Sequence, residues 1–304
     1  MILKNNRSEK TPRIREPKNV RTEKFRTALF LVPSLLGVLL FFILPFFVVI
    51  FYAFVDNPIN RAFVGVDNFI RLFQNSAFRT AVANTLSFSL ISVPAAVILS
   101  LLLAILLCEK LPGVSLFRSL FITPQMVPVA SVVLIWQVIF HFNGSLNEIL
   151  ALFGAQPIDW LKSEYSQVIA VMLYLWKNIG YNMILFMAAL SNIPVDILEV
   201  ATLEGCGAWR KFWHIKLRYL SSSILFVAIL SLISSFKVFR EVYLLTGDYP
   251  FDSLYLLQHF MNNTFRSLDY QKLSSAALVM CVVMVLIIGV LFYADRRIGG
   301  DIEE

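Results

Sequence analysis

The chain has 304 residues, of which 58% are hydrophobic and only 15% are charged, and its formal net charge is +6. Soluble domains use about 25% charged residues, so this composition excludes an ordinary soluble protein. The apolar residues fall in runs long enough for helices to cross a bilayer, which takes roughly 18 residues. The same runs are too long and too uniformly apolar for the alternating strands, about ten residues each, of a membrane β-barrel.

The N-terminal segment 1–27 is strongly basic. Its first 26 residues hold nine Lys or Arg against three Glu. A basic tail can bind nucleic acid or anionic lipid, but beside a membrane span it is typical of a cytosolic flank that follows the positive-inside rule. We therefore predict a cytosolic tail next to membrane lipid and no binding of nucleic acid. The apolar run that follows is too long for a cleavable signal peptide and lacks a small-residue cleavage site.

The apolar runs predict an all-α integral membrane protein with about six transmembrane helices. The predicted spans are 28–54, 84–107, 115–140, 167–190, 221–245 and 274–294. With the N-terminus inside, the inner segments carry seventeen Lys or Arg and the outer segments carry six. This asymmetry predicts a multi-pass protein of the cell (plasma) membrane with both termini in the cytoplasm. The predicted domains are the basic tail 1–27, a transmembrane domain 28–294 and a cytosolic C-terminal tail 295–304.

Residues that usually carry chemistry are sparse. Cys108, Cys206 and Cys281 form no CxxC pair, and the three histidines are far apart in sequence. We therefore predict no metal site, no disulfide framework and no catalytic set. The sequence contains no GxxxxGK[ST] phosphate-binding loop, so the chain is not expected to hold ATP in that way. These patterns predict a protein that is not an enzyme and has no cofactor of its own.

The segment 191–220, between predicted spans four and five, is the most informative. Asp196 followed by Glu199 predicts a capping-box-like start of a short apolar helix. Gly205 and Gly207 are expected to end this helix, because glycine adopts backbone conformations that other residues avoid. A short apolar helix needs a surface that buries it. Two alternatives fit equally well: the helix lies on the lipid at the membrane interface, or it docks in a groove of a partner protein.

The same segment resembles the EAA loop in the permease subunits of ABC importers, whose pattern is roughly E-A-A, three residues, G, nine residues and I-x-L-P. The matching residues are Glu199, Ala201, Gly205, Ile215 and Leu217. The sequence departs from the pattern at Val200 and at Arg218, where proline is usual. In that family the loop is a coupling helix that fits a groove of the ATP-binding subunit. The resemblance therefore implies that the five matching residues couple this chain to an ATPase.

Other segments resemble the carbohydrate-uptake branch of the same family, in the family's order and over about residues 28–294. They are 63–69, 117–136, 143–147 and 236–247. The resemblance implies a subunit of an ATP-driven ABC importer that moves a carbohydrate, in the first place an oligosaccharide, into the cytoplasm. The implied partners are a second homologous permease, two ATP-binding subunits that hold the ATP, and an extracytoplasmic solute-binding protein.

A substrate pathway is predicted along spans four and five. Aromatic rings can stack on the C–H faces of sugars, although ordinary span packing and an interfacial aromatic belt are the commoner explanation for such rings alone. Asparagines well inside a span favour a cavity or a helix–helix role. The candidate residues are Tyr174, Trp176, Lys177, Asn178, Tyr181, Asn182, Phe236, Lys237 and Arg240.

The charges within the spans bear on the substrate, because each costs at least about 2.5 kcal/mol at the bilayer centre. Glu241 lies four residues after Lys237 and is expected to pair with it, while Arg240 is expected to reach the outer interface. This leaves Lys177, near the middle of span four with no acid beside it in that span, to face a hydrated cavity. A neutral oligosaccharide is the default substrate, and an anionic saccharide is the alternative that Lys177 favours.

Two other function classes fit the sequence less well than an ABC permease does. A secondary transporter driven by an ion gradient typically needs acidic relays inside the membrane and often shows inverted repeats. Glu241 is the only acid within a predicted span, and no inverted repeat is apparent. A membrane-embedded enzyme needs an acid/base pair or a metal set in the bilayer, and the sequence offers neither. The ion-gradient transporter remains the alternative to the ABC permease.

Overall fold

The computed structural model describes residues 29–109 and 112–299, with side chains up to 296. The predicted basic tail 1–27 and the end of the predicted C-terminal tail lie outside the described residues. The described residues are almost entirely helical, and their one β-bridge pairs Val55 with Phe63. The helices are α1 (Leu29–Ala53), α2 (Asp67–Gln74), α3 (Ser76–Cys108), α4 (Val114–Met126), α5 (Val129–Phe140), α6 (Ser145–Leu152), α7 (Ser166–Ser191), α8 (Val195–Leu203), α9 (Ala208–Lys211, continued by a π-helical Phe212–Lys216 and by Leu217–Tyr219), α10 (Ser221–Lys237), α11 (Phe239–Thr246), α12 (Leu257–Arg266) and α13 (Tyr270–Gly299).

Six segments of the described chain are long and apolar enough to cross a membrane, which confirms the predicted all-α membrane fold. The segments are Leu29–Ala53, Ser76–Cys108, Val129–Leu152, Ser166–Ser191, Ser221–Thr246 and Tyr270–Arg296. Five of them overlap the predicted spans closely, with span two starting eight residues earlier than the predicted 84. Span two also continues through Pro94 as one helix of 33 residues.

The third span differs from the prediction, which placed one continuous helix over 115–140 and is wrong. The helix α4 ends at Met126, and α5 begins at Val129. Val127 between them is extended, with φ −73° and ψ 135°, because the ring of the following Pro128 disfavours the helical conformation at the preceding residue. The apolar segment instead continues from α5 into α6.

The described residues divide into two compact units at Phe51 and Tyr52. The first unit holds most of α1, which contains a π-helical turn at Leu39–Ile43. The second unit holds the remaining helices, and in it α3 packs along α7 while α7 also contacts α4 and α10. The largest of its buried clusters lies between α3, α7 and the start of α10 and includes Met183, Phe186 and Leu220. Helix α7 is thus fixed on several sides.

Hydrogen bonds across α7 and α10 set the register of these two spans. The hydroxyl of Tyr174 donates to the backbone oxygen of Ser231 at 2.7 Å, and the side-chain amide of Asn182 donates to the hydroxyl of Ser231 at 2.8 Å. All three residues are buried. Polar bonds of this kind hold transmembrane helices together, each by about 0.6 kcal/mol on average. One serine therefore ties α10 to two points of α7.

Candidate functional site

A cavity of about 510 Å³ opens between spans four and five. It is lined by Gln125, Leu173, Tyr174, Lys177, Asn178, Ser234, Lys237, Val238, Phe239, Arg240, Glu241 and Gln258. Three cations, one carboxylate, three amides and a serine hydroxyl are among these side chains. Ligand pockets are usually lined mainly by apolar groups, so this lining is unusually polar for a cavity between membrane spans. Polar groups inside a membrane protein typically face a pathway or a water-filled space.

Lys177 and Glu241 form an ion pair across the cavity wall, from Nζ of the lysine to Oε1 of the carboxylate. The two side chains are 16% and 6% exposed, so the pair is largely shielded from water. The predicted pairing of Glu241 with Lys237 is wrong. On a helix the side chains at i and i+4 are neighbours, but here the acid turns away from its own span toward α7 and meets the lysine there.

Lys237 and Arg240 lie on one face of the span-five segment. The backbone at Val238 between α10 and α11 stays helical, with φ −60° and ψ −19°, so residues three apart remain neighbours. Both side chains line the cavity and are exposed within this chain. Neither forms an ion pair with any acid among the described residues.

The segment that resembles an EAA loop contains α8, a turn and α9. Helix α8 begins at Val195 after Pro194 and has no side-chain cap. The predicted capping box of Asp196 and Glu199 is therefore wrong, because a proline at the N-cap position already directs the chain into the first turn. Glu199 is exposed on α8, whereas Ala201 on the same helix is 8% exposed and packs inward.

Gly205 ends α8 in the left-handed conformation, with φ +76°. Its N–H donates to the oxygen of Thr202 at 3.0 Å, and the N–H of Cys206 donates to the oxygen of Ala201 at 2.9 Å. These two bonds make a Schellman motif, in which a glycine satisfies the last free carbonyls of a helix. The prediction that glycine ends this helix is confirmed for Gly205. Gly207, with φ −66°, adopts a conformation open to any residue.

Ile215 and Leu217, the remaining residues of the pattern, lie in α9. Ile215 belongs to the π-helical turn and Leu217 follows it directly, and both are half-buried. The side chain of Lys211 in α9 donates to the hydroxyl of Thr202 in α8 at 3.1 Å. The two helices are therefore linked directly across the glycine turn.

The chain matches the family model described as "Binding-protein-dependent transport system inner membrane component" over residues 74–298. The chain belongs to this family. It is 31% identical to the lactose transport system permease protein of Rhizobium radiobacter over 243 residues, which is 77% of this chain and 82% of that protein. It is 30% identical to the sn-glycerol-3-phosphate transport system permease protein of Yersinia pestis over 269 residues, or 86% and 90% of the two chains.

A solved structure shares the fold. It is the crystal structure of a bacterial ABC transporter involved in the import of the acidic polysaccharide alginate, with a TM-score of 0.80 and 21% identity, covering 92% of this chain and 98% of that one. The alginate transporter has also been crystallised with an alginate pentasaccharide-bound periplasmic protein, and that structure matches with a TM-score of 0.79 at 20% identity. It covers 92% of this chain and 97% of the other.

These findings confirm that the chain is the permease of a binding-protein-dependent ABC importer and a multi-pass protein of the plasma membrane. The family consists of membrane transport components, so the prediction that the chain is not an enzyme is confirmed as well. The ATP-driven importer is thereby favoured over the alternative, an ion-gradient transporter.

The permease brings together five of the nine predicted pathway residues. Tyr174, Lys177, Asn178, Lys237 and Arg240 line the cavity. Tyr174 is only 2% exposed and its hydroxyl is hydrogen-bonded to Ser231. Its ring is therefore part of the cavity wall and offers little free surface on which a sugar can stack. Asn178 bonds through its side chain to the backbone oxygen of Tyr174 at 2.8 Å, which leaves its side-chain oxygen without a described protein donor.

The other four predicted residues lie elsewhere. Trp176 is 43% exposed and its ring packs near that of Trp136 on α5, and Tyr181 is also 43% exposed outside the cavity. Asn182 is used in the bond to Ser231, and Phe236 is 7% exposed in the helix core. None of the four lines the cavity, so a role for them in the pathway stays a prediction.

Four polar residues of the cavity are absent from the predicted pathway: Gln125, Ser234, Gln258 and Glu241, which the sequence places only as a partner of Lys237. Gln125 and Ser234 lie within apolar runs, where an isolated polar residue is itself a signal that could have been used. Gln258 gave no such signal, because it belongs to α12 in the loop between spans five and six. Only the tertiary structure brings this loop helix to the cavity.

His259, next to Gln258, is buried against the span-five helix. Its Nδ1 accepts from the N–H of Leu256 at 3.2 Å, and its ring stands 4.7 Å from that of Phe239, centroid to centroid. Its Nε2 has no hydrogen-bond partner among the described residues. Burial lowers the pKa of His259 to about 4, although the nearby carboxylate of Asp248 acts in the opposite direction. The ring is therefore neutral near pH 7.

Proposed function

We propose that the permease carries a carbohydrate into the cytoplasm as one membrane subunit of an ATP-driven ABC importer. The observation that carries this proposal is the polar cavity at mid-span, where amide and hydroxyl groups replace the apolar packing expected between membrane helices. Such groups match the many hydroxyls of a sugar, each of which needs a hydrogen-bond partner once it leaves water. The relative named for lactose transport supports the same substrate class.

The proposed assembly contains a second homologous permease, two ATP-binding subunits and an extracytoplasmic solute-binding protein. The chain's own sequence offers no phosphate-binding loop, so ATP is held by partner subunits. The family description and the alginate transporter crystallised with its periplasmic protein support the binding protein. The substrate then passes from the binding protein into the cavity. ATP hydrolysis drives the opening of the cavity to the outer and the cytoplasmic side of the membrane in turn.

The coupling role is proposed for α8 and the turn that follows it. The exposed apolar side chains of Val195, Val200 and Leu203 give α8 a surface that a partner can bury. Glu199 is exposed on the same helix and free to meet a basic group of the ATPase. Ala201, Gly205, Ile215 and Leu217 hold the helix, its turn and α9 in place. This loop and both chain termini face the cytoplasm, as the distribution of Lys and Arg supports.

Uptake by whole cells tests the proposal. A strain lacking this chain should fail to take up a labelled saccharide that the parent imports, and the intact gene should restore uptake. Uptake should also stop when the lysine of the partner ATPase's phosphate-binding loop is changed to alanine, and should persist after the proton gradient is collapsed while ATP is maintained. Uptake that survives loss of the ATPase, or that collapses with the gradient alone, contradicts the proposal.

A further inference from the structure

The cavity carries a surplus of positive charge. Among the described residues, only Lys177 of the three cavity cations has a counter-ion, and that counter-ion is Glu241, the one carboxylate in the cavity lining. Lys237 and Arg240 are left as two like charges, three residues apart on one helical face. Like charges at this spacing repel each other, and each is costly within a membrane span. Their retention at this site calls for an anion.

The depth of Lys237 argues against simple snorkelling to the interface. Lys237 lies roughly 5 Å beyond the middle of the span Ser221–Thr246, at 1.5 Å per residue along the helix. Its side chain lines the cavity together with that of Arg240. A guanidinium beside an ammonium provides a bidentate fork and a point charge, a combination that suits a carboxylate or a phosphate.

The groups around the cations are those that a hydroxylated ligand needs. Gln125 and Gln258 provide amide groups that donate and accept hydrogen bonds, and Ser234 provides a hydroxyl. The carboxylate of Glu241 is not available in the same way, because Oε1 is paired with Lys177 and Oε2 is enclosed by protein. A ligand that fits carries an acidic group for the cations and hydroxyls for the amides and the serine.

We propose that this cavity is selective for an anionic saccharide, whose acidic group binds to Lys237 and Arg240 while its hydroxyls bond to the amides of Gln125 and Gln258 and to the hydroxyl of Ser234. The acidic group is a carboxylate or a phosphate, since both match the two cations. Lys177 does not recognise the charge; it holds Glu241 in position. This inference rests on the proposed saccharide transport, and it moves the recognition of charge from Lys177 to the two cations of span five.

The test uses the complete importer in cells that lack the chromosomal copy of this chain. Three labelled probes are compared: a tetrasaccharide of uronate units, a monosaccharide phosphate and a neutral tetrasaccharide. The variants are Lys237→Gln, Arg240→Gln and their double variant, with Lys237→Arg and Arg240→Lys as charge-retaining partners. Lys272→Gln is the matched control, because Lys272 is paired with Asp269 at 2.5 Å and does not line the cavity. Membrane levels are measured by immunoblot.

The wild-type importer should take up one of the two acidic probes. Which of them it takes up shows whether the acidic group of the substrate is a carboxylate or a phosphate. Each Gln variant should lower kcat/KM for that probe by about tenfold or more, as for loss of one partner of a desolvated charge pair. The double variant should lose more. At equal membrane levels Lys272→Gln should keep the full uptake, and the charge-retaining variants should keep more of it than the Gln variants, with Arg240→Lys losing the bidentate contact.

Three outcomes overturn the inference. If only the neutral probe is imported and the Gln variants leave its uptake unchanged, the cations do not recognise substrate, but the proposed carbohydrate transport stands. If the Gln variants lower the uptake of the neutral and the acidic probes to the same extent, the cations serve the assembly of the importer, for example by pairing with acids of the second permease. If no saccharide of any kind is imported, the proposed function fails together with the inference.

Discussion

The ion pair of Lys177 and Glu241 illustrates, at the scale of single residues, how a charge is kept inside a membrane span. A buried pair is close to neutral for stability, because desolvation offsets attraction, but the loss of one partner leaves an uncompensated charge. The hydrogen-bonded partner of each side chain lies on another span. The pair therefore also fixes the position of α11 relative to α7, at the wall of the cavity.

Replacing Lys177 by Met should lower the free energy of unfolding of the purified permease by about 3 kcal/mol or more, because Glu241 remains buried without its partner. The double variant Lys177→Met with Glu241→Leu should recover most of this loss, since no charge is then stranded. Thermal unfolding in detergent measures both variants. Equal destabilisation by the single and the double variant would show that the ion pair is not the cause.

His259 predicts how stability depends on pH. Its pKa in the folded protein is about 4, below the ordinary value of about 6.5, so the unfolded chain binds more protons between these two values. Stability is therefore complete above about pH 6.5 and falls as the pH drops toward 4. The melting temperature of the wild type should fall between pH 6.5 and 5. The variant His259→Gln should fall less, and an identical decrease in both proteins would contradict this assignment.

At the scale of helices, the close approach of α4 and α7 depends on a single glycine. Gly180 lies in the middle of α7 opposite the backbone of Phe121 in α4, and a Cβ placed there would overlap the carbonyl of Phe121. Small residues allow membrane helices to approach closely. Because the obstacle is backbone, it cannot move aside like a flexible side chain. The contact therefore fixes α4 against the helix that carries Lys177.

Replacing Gly180 by Ala should lower the free energy of unfolding by about 1–3 kcal/mol, the usual cost of overpacking. The matched control is Gly289→Ala in span six, where an added Cβ meets no atom within 4 Å. That variant should leave the free energy of unfolding unchanged or raise it slightly, because Ala has a higher helix propensity than Gly. Melting in detergent compares the two. Equal stability of both variants would show that α4 and α7 separate without penalty.

The glycine turn after α8 makes a second prediction at the same scale. A β-branched residue is strained at the φ of +76° seen at Gly205, whereas asparagine tolerates this conformation. Gly205→Val should therefore disrupt the Schellman turn and abolish substrate-stimulated ATP hydrolysis of the importer while the protein still reaches the membrane. Gly205→Asn should retain much of the hydrolysis. Normal stimulation in Gly205→Val would contradict the coupling role proposed for this loop.

At the scale of the whole molecule, the orientation in the membrane follows from the distribution of charge and is open to labelling. Cys206 provides a native probe on the predicted cytosolic side, and Ala155 lies exposed in a predicted outer loop. A protein that keeps only Cys206 should resist a membrane-impermeant maleimide on intact cells and react after permeabilisation. A protein whose only cysteine is Ala155→Cys should react at once. The reverse result would invert the topology.

The sequence by itself determined the features that depend on composition and on neighbours along the chain. Runs of apolar residues set the number of spans and the approximate bounds of five of them, because the length of a run decides whether a helix can cross the bilayer. Gly205 marked the end of α8, because its conformation is a local property of the backbone. The motifs of the EAA-like loop and of the other matching segments pointed to the family.

Only the tertiary structure decided which groups meet across helices. The spacing of Glu241 and Lys237 favoured a pair within one helix, yet Glu241 bonds to Lys177, 64 residues away in sequence. Packing between helices also explains three other findings. Gln258 lines the cavity, Gly180 contacts α4, and Trp176 and Tyr181 lie outside the cavity. Helical periodicity predicts the face of each residue, but the rotation and depth of each helix are set by packing against its neighbours.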